Sequence, residues 1–182
     1  MNIGFLEFAQ KYDYAAYHDV DMYVMQDLGV HEREIKERKR LVPNEGVNAY
    51  RYPDNPTQIC TRASQFAWKL PYAKFMGGVT LFTTEQFRKF GGYSNEISSY
   101  GNEDDDLYKA IIKSGQTIDY RDCYFMCENH DRQIVPHLFH KGRAIVEKGR
   151  NESDTLESTP YKIVDLKVEN KYTRLVVDLD YL

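Results

Sequence analysis

Four carboxylates in a row, Glu103-Asp104-Asp105-Asp106, follow a loop of small and polar residues, Ser98-Ser99-Tyr100-Gly101-Asn102. One or two acids complement the unpaired N–H groups of a helix start. Four repel one another unless a cation or a proton donor uses them. The run therefore predicts a carboxylate that takes a proton from a bound substrate, carried on a rigid helix start. The loop before it, Gly91-Gly92-Tyr93-Ser94-Asn95, is expected to move as a lid. An ordinary acid-rich helix terminus accounts for the same residues, whereas a Ca²⁺ loop at 103–106 lacks the alternating ligand spacing such loops need.

Two further groups bear on metal chemistry. Asp19 and Asp21 end an apolar stretch, and their hard oxygens suit Mg²⁺ or Mn²⁺ bridging a diphosphate. His130 follows Cys127-Glu128-Asn129 after a strand-like segment. Its imidazole is a candidate ligand, with Cys127 either a soft third ligand or a buried thiol. The bland readings are a polar strand end and a satisfied surface histidine. His137 and His140, three apart on a helix, read as solvent-facing.

These groups need elements to hold them. Leu107, Ala110, Ile111 and Ser114 fall at helical spacing, with Asn102 as N-cap and Gly115 as stop. Residues 3–11 form a short helix burying Phe5, Leu6, Phe8 and Ala9. Residues 12–22 read as a central strand, which would put Asp19 and Asp21 on one side. Residues 43–58, with Pro43, Gly46, Pro53 and Pro56, read as loop. A short buried strand at 77–82 leads into the Thr83-Thr84-Glu85-Gln86 capping box, and Gly91-Gly92 end that helix. A strand at 120–127, a helix at 137–148 and a hairpin turning at Glu169-Asn170 complete the chain.

The 182 residues make one domain, 1–182, and the net charge of −4 argues against a nucleic-acid surface. The basic run Arg33 to Arg40 is interleaved with glutamates and reads as a solvated helix face. Fifteen tyrosines suit a sugar or nucleotide site as well as ordinary packing. Three cysteines leave at least one thiol unpaired in a monomer. No signal peptide and no apolar run long enough to span a bilayer is read.

Five motifs, in order, resemble the C-terminal catalytic part of the beta-1,4-galactosyltransferase family. They are Asn2-Ile3-Gly4-Phe5 with Tyr12-Asp13-Tyr14; His18-Asp19-Val20-Asp21; Leu70-Pro71-Tyr72 with Phe75-Met76-Gly77-Gly78-Val79; Gly101-Asn102-Glu103-Asp104-Asp105-Asp106; and His130-Asp131-Arg132. The resemblance implies an α/β, GT-A-like mixed sheet flanked by helices. It also implies a Mn²⁺-dependent inverting transfer of galactose, or N-acetylgalactosamine, from a UDP-sugar to a saccharide hydroxyl. Asp21 and His130 would hold Mn²⁺, with Cys127 standing where well-known members have methionine. Asp104 would be the base, Glu103 and Asp105 would orient hydroxyls, and Asp19 would sit near the ribose. Tyr72, Phe75, Gly78, Tyr100 and Gly101 would line the substrates.

This chain departs from the family at several points. Tyr100 replaces the mobile loop's usual tryptophan. Phe75 replaces the tyrosine of galactose-transferring members, which implies that UDP-galactose stays preferred through ring bulk alone. The family's domain begins well upstream, so an upstream half or a partner chain would complete the nucleotide site. Animal members sit in the Golgi behind an N-terminal anchor. The other reading is a truncated non-catalytic relic or carbohydrate-binding module.

Overall fold

The computed structural model describes residues 1–25, 49–98, 100–128, 130–131 and 134–179. The readings at 33–40, at Pro43 and Gly46, and at Ser99 lie outside them. The centre of the molecule is a four-stranded sheet and a three-stranded sheet that share the chain's longest-range pairings. In the first, β1 (Tyr14–His18) and β3 (Thr57–Gln58) flank β5 (Val79–Thr83) antiparallel, and β6 (Asp119–Tyr120) joins β3 parallel. In the second, β7 (Tyr124–Cys127) lies between β2 (Met22–Val24), antiparallel, and β4 (Arg62–Ala63), parallel.

All five residues of β5 are buried, because both faces of this strand are covered. Alternation sends Val79 and Leu81 into one cluster with Met22, Ile59, Cys60 and Phe125. Phe82 enters a second cluster with Phe5, Tyr17, Phe87, Leu107 and Ile111. The short helix α1 (Asn2–Glu7) stacks Phe5 on Phe87, ring centroids 4.4 Å apart, and Tyr17 covers the same ring at 4.7 Å. Helix α2 (Thr84–Phe90) begins at the expected capping box, with Gln86 and Thr83 bonded reciprocally. It ends at Gly91, whose φ of +81° suits a residue without Cβ.

Helix α3 (Glu103–Lys113) has all four acids in its first turn, and its Leu107 and Ile111 are fully buried. That apolar seat fixes where the carboxylates point. Asp106 turns away from its three neighbours and is held by Arg150, Nη2 2.6 Å and Nε 2.8 Å from Oδ2. The same guanidinium donates to the Gly92 carbonyl at 2.8 Å, tying α3 to the end of α2. Both side chains are largely buried, so removing the cation alone strands a charge in the interior. Arg150→Ala should therefore cost about 3–5 kcal/mol of stability, read from urea unfolding midpoints. A loss under about 1 kcal/mol would mean that water screens the pair.

Several expectations are corrected here. Residues 12–22 are two strands belonging to different sheets, separated by a turn at Asp19-Val20-Asp21 in which the Asp19 carbonyl accepts from Met22 N at 3.2 Å. Among the described residues β1 lies at the edge of its sheet, not the centre. Asn102 precedes α3 but does not cap it: its φ is +78° and its amide donates to the Phe139 carbonyl of α4 (Pro136–Lys148). The loop 91–95 is tethered, with Asn2 bonded to both N–H and C=O of Tyr93 and Asp154 accepting from Ser94 Oγ and Asn95 N.

His137 and His140 are exposed on α4, as expected. The hairpin of β8 (Lys162–Val168) and β9 (Thr173–Asp178) forms as read, with a bulge between Ile163 and Asp165. All three cysteines are free thiols. No helix among the described residues is long and apolar enough to cross a membrane.

Candidate functional site

A cleft of about 450 Å³ opens where three polypeptide segments, the turn at Gln65-Phe66 and one histidine converge. The turn between β1 and β2 contributes Asp19 and Asp21. The segment leading into β5 contributes Tyr72, Phe75 and Gly78. The loop before α3 and its first residues contribute Tyr100, Gly101, Glu103 and Asp104, and His130 closes the ring. Asp105 and Cys127 are not in its wall. Burial raises the Tyr72 phenol's pKa, and the neighbouring charges of Asp105 and Asp104 raise it further. Cys127 packs against the cluster of Met22 and Cys60, and no three metal-binding side chains come together among the described residues.

Asp104 owes its position to a glycine. An added Cβ on Gly77 would collide with Asp104 Oδ2, and would lie 2.7 Å from Phe75 Cε2 and Cζ. The carboxylate thus rests directly on the backbone. Gly77 itself is fastened by Gln58, a fully buried side chain whose Nε2 donates to the Gly77 carbonyl at 2.7 Å and whose Oε1 accepts from Cys60 N at 2.7 Å.

Burial pushes the Asp104 carboxyl up to about 8, helped by the neighbouring charges of Glu103, Asp19 and Asp105. Glu103 is also raised by burial, while the N–H groups of Glu103 and Gly101 pull it back. Its buried Oε2 has no hydrogen-bond partner among the described residues. An acceptor held dry in this way is matched to a donor hydroxyl from a ligand.

Asp21 precedes β2 and His130 follows β7, and these two strands pair. β2 and β7 pair Met22 with Cys127, and Glu128 N donates to the Asp21 carbonyl at 2.8 Å. The result is His130 Nε2 3.2 Å from Asp21 Oδ2. His130 Nδ1 lies 3.1 Å from the Asp131 carbonyl, which can only accept, so Nδ1 carries the proton. In the neutral ring Nε2 then presents a lone pair to a carboxylate oxygen. Two acceptors at this distance need a proton or a cation between them. Ligand atoms about 2.1 Å from one cation and at right angles are about 3 Å apart, so the spacing fits a metal.

Asn102 also lines the cleft, as do Gln65 and Phe66; neither these two nor Gln58 carries any signal in the sequence. Phe66 packs edge-on against Phe75, as does Tyr72, each at 5.5 Å.

A family model described as the N-terminal domain of galactosyltransferase matches residues 57–141. The chain is 31% identical over 186 residues to beta-1,4-galactosyltransferase 2 of Mus musculus, covering 98% of this chain and 46% of that protein. It is 28% identical to beta-1,4-galactosyltransferase 1 of the same organism, covering 98% and 42%. The chain thus spans under half the length of these relatives. Among solved structures it resembles the catalytic domain of Drosophila beta-1,4-galactosyltransferase 7 in complex with xylobiose. That match has a TM-score of 0.68 and 22% identity, covering 99% of this chain and 74% of the other. A variant of that enzyme in complex with manganese, UDP-Gal and xylobiose matches at a TM-score of 0.65 and 20% identity. The mixed α/β architecture is therefore GT-A-like, as the motifs implied.

Proposed function

We propose that this relative of the beta-1,4-galactosyltransferases is an inverting glycosyltransferase that moves galactose from a UDP-sugar to a saccharide hydroxyl. The observation that carries the reading is the pair of facing acceptors, Asp21 and His130, in the same cleft as the buried Asp104. Asp21 and His130 would hold Mn²⁺, which when bound supplies charge neutralisation for the departing diphosphate.

Asp104 accepts the proton of the acceptor hydroxyl as its oxygen bonds to the anomeric carbon and the bond to the diphosphate breaks. One displacement of this kind inverts the configuration. Glu103 offers its unpartnered oxygen to a sugar hydroxyl, and the charge of Asp105 lies near the Tyr72 hydroxyl at the mouth. Asp19 and Gly78, bonded to each other at 2.9 Å through Asp19 N, fix the wall beside the metal pair. The exposed ring of Tyr100 is placed to cover a bound sugar.

Calorimetric titration of UDP into this chain, with and without Mn²⁺, tests the reading. Binding that requires Mn²⁺ is expected. No binding in either case would favour a non-catalytic relic or a carbohydrate-binding module.

Phe75 supports galactose over N-acetylgalactosamine. Its ring is packed on two sides and 6% exposed, so an acetamide cannot easily displace it. Overpacking costs about 1–3 kcal/mol, more than the roughly 1 kcal/mol of a hydroxyl's hydrogen bond. Phe75→Leu should raise the rate with UDP-N-acetylgalactosamine relative to UDP-galactose. An unchanged ratio of the two donors would remove Phe75 from the donor pocket.

A further inference from the structure

We infer that His18 is a positioning residue for the metal pair, acting through the backbone of the turn that carries Asp21. The inference rests on the metal reading above. His18 is the last residue of β1 and does not line the cleft. Its Nδ1 lies 2.8 Å from the Asp19 carbonyl, and its Nε2 lies 2.9 Å from the Tyr50 hydroxyl. A carbonyl only accepts, so Nδ1 carries the proton and Nε2 accepts from the Tyr50 O–H. One imidazole thereby joins two chain segments through a single tautomer.

Both ends of this strap are anchored. The Tyr50 carbonyl accepts from the Tyr14 hydroxyl at 2.7 Å, and Arg121 Nη1 donates to the carbonyls of Ala49 at 2.6 Å and Arg51 at 3.1 Å. The residue is thus clamped on both sides before its hydroxyl reaches the imidazole. At the other end, the Asp19 carbonyl that His18 holds is the one that closes the turn to Met22 N. Asp21 sits inside that turn, with its oxygen 3.2 Å from His130 Nε2. The strap therefore sets the plane of the peptide that decides where Asp21 points. The ring of Phe125, edge-on at 5.9 Å, limits tilt of the imidazole. Outer partners of metal ligands typically change metal affinity by about 10–100-fold when removed.

Three variants separate positioning from packing. His18→Ala removes the donor to Asp19 and the acceptor from Tyr50. His18→Asn keeps an amide donor at the place of Nδ1 and loses the contact to Tyr50. Tyr50→Phe deletes one oxygen and leaves the ring. Free Mn²⁺ is measured by its electron paramagnetic resonance signal as each protein is titrated, and thermal unfolding is recorded alongside.

The expected result is Mn²⁺ affinity lower by about 10–100-fold in His18→Ala. His18→Asn, which keeps the donor to Asp19 but frees the far end of the strap, should fall between His18→Ala and wild type, although both variants lose similar thermal stability through the broken bond to Tyr50. Tyr50→Phe loses the same bond and keeps the donor, so it should match His18→Asn. Equal losses of affinity in the Ala and Asn variants would assign His18 to ring packing and overturn the inference. So would wild-type affinity in His18→Ala or, should that variant not fold, in Tyr50→Phe. Wild-type protein that takes up no Mn²⁺ would overturn the metal reading itself, and this inference with it.

Discussion

Asp104→Asn should lose at least about 10² in turnover and yet gain stability at pH 8. The two effects have one cause. Burial, with the charges of Glu103, Asp19 and Asp105, holds the Asp104 proton up to about 8 against an ordinary 3.8. Between those values the native chain keeps a proton that the unfolded chain has released. Stability from this group is thus fully present below about pH 4 and lost as pH rises through about 8. Asparagine keeps the shape, cannot ionise and removes that slope.

Urea midpoints of metal-free protein should agree at pH 4 and separate by pH 8 in favour of the variant, with Mn²⁺ affinity little altered. Wild-type turnover should climb over the same window, because only the unprotonated carboxylate can take the acceptor's proton. Near wild-type turnover in Asp104→Asn with a sugar acceptor would take Asp104 out of the chemistry. Parallel stability curves for the two proteins would mean that water reaches the carboxyl.

A single methyl on Gly77 should do almost as much damage without removing any reactive group. The Cβ would occupy the place of Asp104 Oδ2 and press on the Phe75 ring at 2.7 Å. Neither the Phe75 ring nor the glycine can retreat freely. Phe75 is packed by Phe66 and Tyr72, and the Gly77 carbonyl is tied to Gln58. The carboxylate must therefore swing, and a displacement of about 1 Å at a reacting group costs about 10² in rate. Gly77→Ala should lower turnover by about that factor and stability by about 1–3 kcal/mol.

Gly4→Ala serves as the comparison, since its Cβ would meet nothing within 4 Å and it sits within α1. It should gain about 0.5–1 kcal/mol and leave turnover alone. Full turnover in Gly77→Ala would show that Asp104 has room to move.

Local rules carried part of the architecture. The capping box at Thr83, the acids opening α3 and the hairpin at Glu169-Asn170 depend on near neighbours, and they form as the residues imply. The turn at Asp19 to Asp21 was read as continuous strand because nothing local breaks it. What bends the chain there is the Gly78 carbonyl holding Asp19 N and the partition of β1 and β2 between two sheets. Asn102 has an N-cap residue's chemistry, yet its amide answers a carbonyl of α4. The tether on loop 91–95 comes from Asn2 and Asp154, at opposite ends of the chain. Gln58 under Gly77 and Arg150 behind Asp106 were invisible for the same reason. The cleft's wall could be anticipated from residue types at their motifs, but its supports are distant polar side chains.

The interleaving of the two sheets also sets the order in which this protein can mature. β1 must wait for β5, and Asp21 must wait for a histidine about 110 residues further on. At about 5–20 residues per second, a ribosome spends roughly 5–20 s between the two. Through that interval the nascent chain carries Asp21 without its histidine partner, a β2 strand without the β7 it pairs with, and an exposed row of backbone donors. No emerging fragment that stops short of His130 can hold the site closed. The Asp21–His130 pair thus closes only after His130 has been made, and high contact order makes this assembly slow.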